Sequence, residues 1–247
     1  MSVAAAITTI RDSVVAVFRF RQTRAQSTKK GKVRPAQYSG GFGSGFCVVA
    51  NRYVVTAFHV LNDGKPRNQK DSFLVFVVPQ NGDVAYHFPV IGFPLESSDL
   101  DLAVLEIGPC STNGISLPAI PVSFAPQTDG ARVLTIGFPA PEITGLNIDA
   151  SGQYRGGQFF LKSHANEGIL SAQYDLGQIH VYEFNVGWHH GESGGPVVSL
   201  DDPVAAFTVM QQYRNIKSPH GIVAGPHRGL ALSAIRGDLE RFGATIV

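Results

Sequence analysis

The feature that most restricts the fold is a succession of short runs rich in β-branched and aromatic residues, each closed within a few positions by Gly, Pro, Asn or Asp. They are Val14–Phe20, Phe46–Ala50, Tyr53–Thr56, Phe73–Val78, Ala85–Ile91, Leu102–Ile107, Arg132–Ile136, Ile179–Phe184, Pro196–Ser199 and Val204–Met210. Runs of this length suit strands, and are too short for helices that must hold themselves together. With 27 Gly, 15 Pro and 44% hydrophobic residues, the chain has the turn formers and the apolar surface that an all-β protein needs. One segment departs from this pattern. Ser233–Phe242 has helical period, and predicts a short amphipathic helix capped by Ser233 and carrying Ile235, Leu239 and Phe242 on one face.

At 247 residues the chain is long enough for one large or two small β domains. A change of composition at Gly108–Thr128 marks a linker between two halves, 1–115 and 116–247. The polar, basic and then glycine-rich stretch Gln22–Gly45 predicts a long loop between the first two strands. Net charge is +1, with no strongly basic face, so a nucleic-acid partner is not expected. Two cysteines, Cys47 and Cys110, are too few for a disulfide framework and are expected to be free. The first 20 residues lack the basic start and the uninterrupted apolar stretch of a secretory leader, and no later run approaches a membrane span. A cytoplasmic protein without a membrane partner is the expectation. His189 and His190 are adjacent, and neighbours on a strand point apart, so no metal site is expected there.

The chemistry concentrates in three segments. Ser193 stands in Gly191-Glu192-Ser193-Gly194-Gly195-Pro196, where glycines let the backbone turn sharply and aim amides that side chains would otherwise block. Its fixed Gly, Ser and Pro positions would arise by chance in about three of 10,000 chains this long. His59 follows the apolar run Tyr53–Phe58 and is placed to face a cleft. Asp101 opens the apolar run Leu102–Ile107, with Asp99 as its rival two positions back. Amide hydrolysis calls for a nucleophile, a base, a group that orients the base, and donors for the developing oxyanion. Ser193, His59, Asp101 and the peptide N–H groups of Gly191 and Ser193 match those needs in turn.

Together these segments resemble the chymotrypsin-like serine proteases, most closely the protease domain of the high-temperature-requirement (Deg) family. The similarity is carried by GSGFCVVANRYVVTAFHV at Gly43–Val60, SDLDLAVLEI at Ser98–Ile107, GARVLTIGFPAP at Gly130–Pro141, EGILSA at Glu167–Ala172 and GESGGPVVSLDDPVAAF at Gly191–Phe207. The order His, Asp, Ser, with intervals of 42 and 92 residues, also matches. The resemblance implies an all-β fold of two six-stranded antiparallel barrels with a short C-terminal helix, the first barrel carrying His59 and Asp101 and the second Ser193. It implies a serine endopeptidase without a cofactor, acting on protein or peptide substrates through an acyl-enzyme. The alternative is an inactive protease-like fold that binds proteins or peptides. Glu192 stands where the family usually has Asn or Asp. Carried across by the resemblance, the pocket for the residue before the cut bond (P1) is walled by Gly187, Trp188, His190, Thr208, Met210 and Arg228. A guanidinium at Arg228 would favour an acidic P1 side chain.

Overall fold

The computed structural model describes residues 1–247 apart from 24–25, 28–32, 35–36, 63–66, 69–70, 80–83, 140, 149–153, 178, 188, 202 and 219–220. The chain opens with helix α1 (Val3–Ile10), where the Ser2 hydroxyl accepts from the Ala5 amide. Strand β1 (Val14–Thr23) follows, then a two-residue ribbon, β2 (Gln26–Ser27) and β3 (Val33–Arg34), then β4 (Gln37–Val49) and β5 (Tyr53–Ala57). Helix α2 (Phe58–Asn62) leads to β6 (Ser72–Val77), β7 (Tyr86–Ser97) and β8 (Leu102–Ile107). Strands β1, β4, β5, β8, β7 and β6, in that order, close into an antiparallel barrel.

No strand is assigned between β8 and Arg132, where Val122 makes isolated bridges to Ala206 and Ile246. The second half contains β9 (Arg132–Gly137), a hairpin of β10 (Glu142–Ile148) and β11 (Tyr154–Phe160), then β12 (His164–Leu176), β13 (Ile179–Asn185), β14 (Pro196–Ser199), β15 (Ala206–Val209), β16 (Gln212–Ser218) and β17 (Gly221–Leu230). Seven of these form a curled sheet in the order β15-β14-β9-β12-β13-β17-β16. The expected chymotrypsin-like double barrel is therefore present, with the second barrel built as a curled half-barrel sheet, where the first is closed by hydrogen bonds all round.

Alternation along the strands divides the core into three. Val15, Val17, Cys47, Val54, Phe73, Val75, Phe88, Ala103 and Leu105 fill the first barrel. Val133, Leu170, Tyr182, Phe184, Val197, Phe207 and Met210 fill the second. The opposite faces of both sheets meet in the largest cluster, where Phe18, Phe46, Val55, Phe76 and Val104 of the first half pack against Leu134, Ile136, Val198 and Val209 of the second. Ala6 and Ile10 of α1 join it. Fully buried rings such as Phe46 and Phe76 each contribute about 1.5–3 kcal/mol. This shared apolar face holds the two halves as one unit and fixes the cleft between them.

Two local expectations need correcting. Gln37–Gly45 is part of β4, not of a loop, pairing residue by residue with β1 from Thr23↔Gln37 to Val15↔Gly45. Backbone ladder bonds outweigh the low strand preference of glycine there, and at Gly40 a side chain would strike the Arg19 carbonyl. The C-terminal helix, α3 (Arg236–Phe242), begins after a 3₁₀ turn over Leu232–Ile235, so Ser233 lies within that turn and does not cap the helix. Leu239 and Ile235 are buried as the period required.

Candidate active site

His59 sits in the first turn of α2, directly after β5. Asp101 ends the Ser98–Asp101 turn that feeds β8, with its amide donating to the Ser98 carbonyl at 3.3 Å. Its backbone is left-handed (φ +47°), a conformation that Asp tolerates better than most residues. From there one carboxylate oxygen lies 2.8 Å from His59 Nδ1, and the other accepts the His59 backbone amide at 2.9 Å. The Asp101 carbonyl accepts the Phe58 amide at 3.1 Å. The acid thus orients the imidazole and secures the start of the helix that carries it. Asp99 is turned away, its carboxylate accepting from the Ser98 hydroxyl on the surface.

Ser193 occupies a tight turn in which the Gly195 amide donates to the Glu192 carbonyl at 3.0 Å. Gly191 (φ +103°) and Gly194 (φ +90°) take conformations open to glycine, and a Cβ on Gly194 would be driven into the Ser44 carbonyl and the Thr56 hydroxyl. The turn is tied to the first barrel by Ser44, which is fully buried. The Ser44 amide donates to the Ser193 carbonyl at 2.7 Å, and its hydroxyl donates to the Gly191 carbonyl at 2.7 Å while accepting the Phe138 amide at 2.8 Å. Thr56 Oγ1 in turn donates to the Ser44 carbonyl at 2.6 Å. These bonds fix the Gly191–Glu192 and Ser193–Gly194 peptide planes. The Ser193 hydroxyl, itself nearly buried, donates to the Gln211 carbonyl at 3.1 Å.

Glu192 does not strain the turn. Its side chain folds inward and is fully buried, with Oε2 accepting the His189 amide at 2.6 Å and Oε1 accepting Asn166 Nδ2 at 3.0 Å. Gly137 makes room for it, since a Cβ there would come within 2.9 Å of the Glu192 Cα and Cβ. Burial pushes the Glu192 carboxyl above its ordinary pKa, opposed by the His189 amide and imidazole and by Asn166.

The residues expected to wall the P1 pocket fall in different places. Gly187 lies beside Asn166, and His190 is exposed. Thr208 and Met210 are fully buried: Thr208 donates to the Leu230 carbonyl at 2.6 Å, and Met210 packs in the second core. Trp188 lies outside the described residues. Arg228 pairs in register with Glu183 and is ion-paired to it at 2.6 Å, with the Tyr174 hydroxyl on the same carboxylate oxygen. His227 is instead opposite Phe184, a residue of the second core, so alternation puts His227 and Arg228 on opposite faces of the sheet. Burial, with His189 nearby, holds the His227 pKa below its ordinary value. Ser44, Asn166 and Gln211 were not singled out by sequence reasoning. Ser44 alone left a local signal, within the glycine-rich Gly40–Gly45 stretch.

Residues 43–206 match the trypsin-like peptidase domain family. No curated protein matches the chain in sequence. Among solved structures, the fold is similar to that of a serine-to-alanine variant of the HtrA-type protease AlgW with decapeptide, at a TM-score of 0.62 and 16% identity over 99% of this chain and 68% of that one. It is also similar to the same variant with tripeptide (TM-score 0.60, 16% identity, 97% and 63% covered) and to AlgW with tripeptide (0.58, 19%, 98% and 64%). At those identities the likeness is one of fold, and this chain spans roughly two thirds of each neighbour's length. The family match covers well over half of the chain, across the segments that bear His59, Asp101 and Ser193, and the chain therefore belongs to the trypsin-like peptidase domain family and is a serine peptidase of the chymotrypsin-like fold.

Proposed function

We propose that the chain is an endopeptidase that cuts protein or peptide substrates through an acyl-enzyme, with Ser193 as nucleophile, His59 as general base and acid, and Asp101 as the group that orients the imidazole. The observation that carries this reading is the two-point contact between Asp101 and His59, at Nδ1 and at the backbone amide. Asp101 at Nδ1 selects the tautomer that leaves Nε2 available to take the Ser193 proton. For attack, the Ser193 hydroxyl turns from the Gln211 carbonyl toward that nitrogen, and the amides of Gly191 and Ser193 receive the oxyanion.

An acidic P1 side chain would have to draw Arg228 away from Glu183. A peptide-library digest decides whether that exchange takes place. Dominant cuts after Glu or Asp mean that it does, whereas cuts after aliphatic or aromatic residues mean that the ion pair stays closed. The triad is tested with a fluorophosphonate probe and labelled casein. Wild type should be labelled and should cleave, and Ser193→Ala and His59→Ala should each lose on the order of 10⁶ in rate. Activity retained by either variant would overturn the assignment.

A further inference from the structure

Outside the triad itself, the residue that ties its parts together most directly is Gln211, which lies between β15 and β16 and is almost completely buried. Four hydrogen bonds converge on it. Its amide nitrogen donates to the Arg228 carbonyl at 3.1 Å, anchoring it to β17. Its carbonyl accepts the Ser193 hydroxyl at 3.1 Å. Its side-chain Nε2 uses both hydrogens, donating to the Leu100 carbonyl at 2.7 Å and to the Asp101 carbonyl at 3.0 Å. One residue of the second half therefore touches the nucleophile with its backbone and the acid's turn with its side chain.

We infer that Gln211 is a positioning residue for the peptidase reaction: its side-chain amide holds the left-handed Asp101 turn so that the Asp101 carboxylate stays on His59, in step with Ser193. This rests on the reading of Ser193, His59 and Asp101 as the catalytic triad. The physical reason lies in the backbone of Asp101. A left-handed conformation at a residue other than glycine persists only where surrounding contacts impose it. Two contacts do so at its carbonyl, the Phe58 amide from the first barrel and Gln211 Nε2 from the second. Without the Gln211 amide, the carbonyls of Leu100 and Asp101 lose a buried donor each. The turn is then free to relax toward right-handed values, and the carboxylate swings off the imidazole. Because the amide reaches from the second half to the first, the acid and the nucleophile are held by the same residue.

The test uses Gln211→Met, which keeps the length of the side chain and removes both donors, and Gln211→Glu, which turns an oxygen toward the two carbonyls. Inactivation by a fluorophosphonate probe is separated into its binding constant and its chemical rate. The chemical rate should fall by about 10- to 10³-fold, a part of the roughly 10⁴-fold cost of losing the orienting carboxylate. The binding constant should stay within about twofold. A merely structural role would lower the melting temperature while leaving the chemical rate of the folded enzyme unchanged. Either variant, folded, with a wild-type chemical rate overturns the inference, and so does the unfolding of both variants, which would make the amide a folding element. If Ser193→Ala or His59→Ala keeps activity, the triad reading is what fails.

Discussion

Replacing Glu192 tests most directly how this chain stabilises the turn that carries Ser193. The carboxylate is fully buried and bridges the His189 amide and Asn166 Nδ2, while its own backbone amide donates to the His189 carbonyl at 3.1 Å. Glu192→Ala leaves two part-buried donors, the His189 amide and Asn166 Nδ2, without their acceptor. With water able to reach them in part, and with relief from removing a buried carboxylate, the net loss should be about 2 kcal/mol. For a chain of this size that corresponds to a fall of roughly 4–8 °C in melting temperature. Glu192→Gln keeps one acceptor but turns an NH₂ toward a donor, and should cost about 1–2 kcal/mol at neutral pH. Wild type also differs from both variants in how it depends on pH. Burial raises the carboxyl pKa in the folded state, so above the ordinary glutamate value the native state binds more protons than the unfolded one. Stability from this group is then fully present below that ordinary value, and is lost as pH rises through the folded pKa. Denaturant unfolding between pH 4 and 8 should show the advantage of wild type over Glu192→Gln shrinking as pH rises through that window. A Glu192→Ala melting temperature within about 1 °C of wild type, or a wild-type advantage that grows with pH, would refute the reasoning.

Two further outcomes are expected. Gly194→Ala places a Cβ at φ +90° against the Ser44 carbonyl and Thr56 hydroxyl and within 3.0 Å of the Ala57 amide; it should cost about 3 kcal/mol or more and abolish fluorophosphonate labelling, read by thermal melting and gel fluorescence. Cys47, fully buried, has its thiol pKa pushed up to about 11 by burial, whereas Cys110 is half-buried. At pH 8 only about one Cys47 thiol in a thousand is ionised, so iodoacetamide should modify Cys110 in the native protein and reach Cys47 only on unfolding, as followed by mass spectrometry. Native labelling of Cys47 at the rate of Cys110 would contradict its burial.

Much of the architecture was legible because its signals are local. A β-branched run ended by a glycine or proline reads as a strand whatever it later pairs with, and nearly all such runs are strands here. Strands without a β-branched run of their own, β11 and β16 among them, carry mixed residues whose strand character comes from their neighbours in the sheet. Helix α1 also went unread. Its alanine-rich stretch is helical by propensity, but it is held in place by burying Ala6 and Ile10 between the two halves.

The candidate site divides along the same line. GESGGP, the histidine after an apolar strand and the aspartate before one each stand in a short window, so residue type and order pointed to the chemistry without coordinates. What the windows left open depended on contacts between residues far apart in the chain. Asp101, and not Asp99, contacts His59 because a left-handed turn aims it there. Ser44 and Gln211 acquire their places only when the two halves close, 147 and 110 residues from the groups they bind. Arg228 went to Glu183, and His227 to the opposite face, because a single step along a strand reverses the direction of a side chain. By itself the sequence determined which chemical groups the molecule has and which strands carry them. Tertiary structure decided which groups meet, because the registry of two packed sheets is settled by the sum of many weak apolar contacts, and no short stretch of sequence contains that sum.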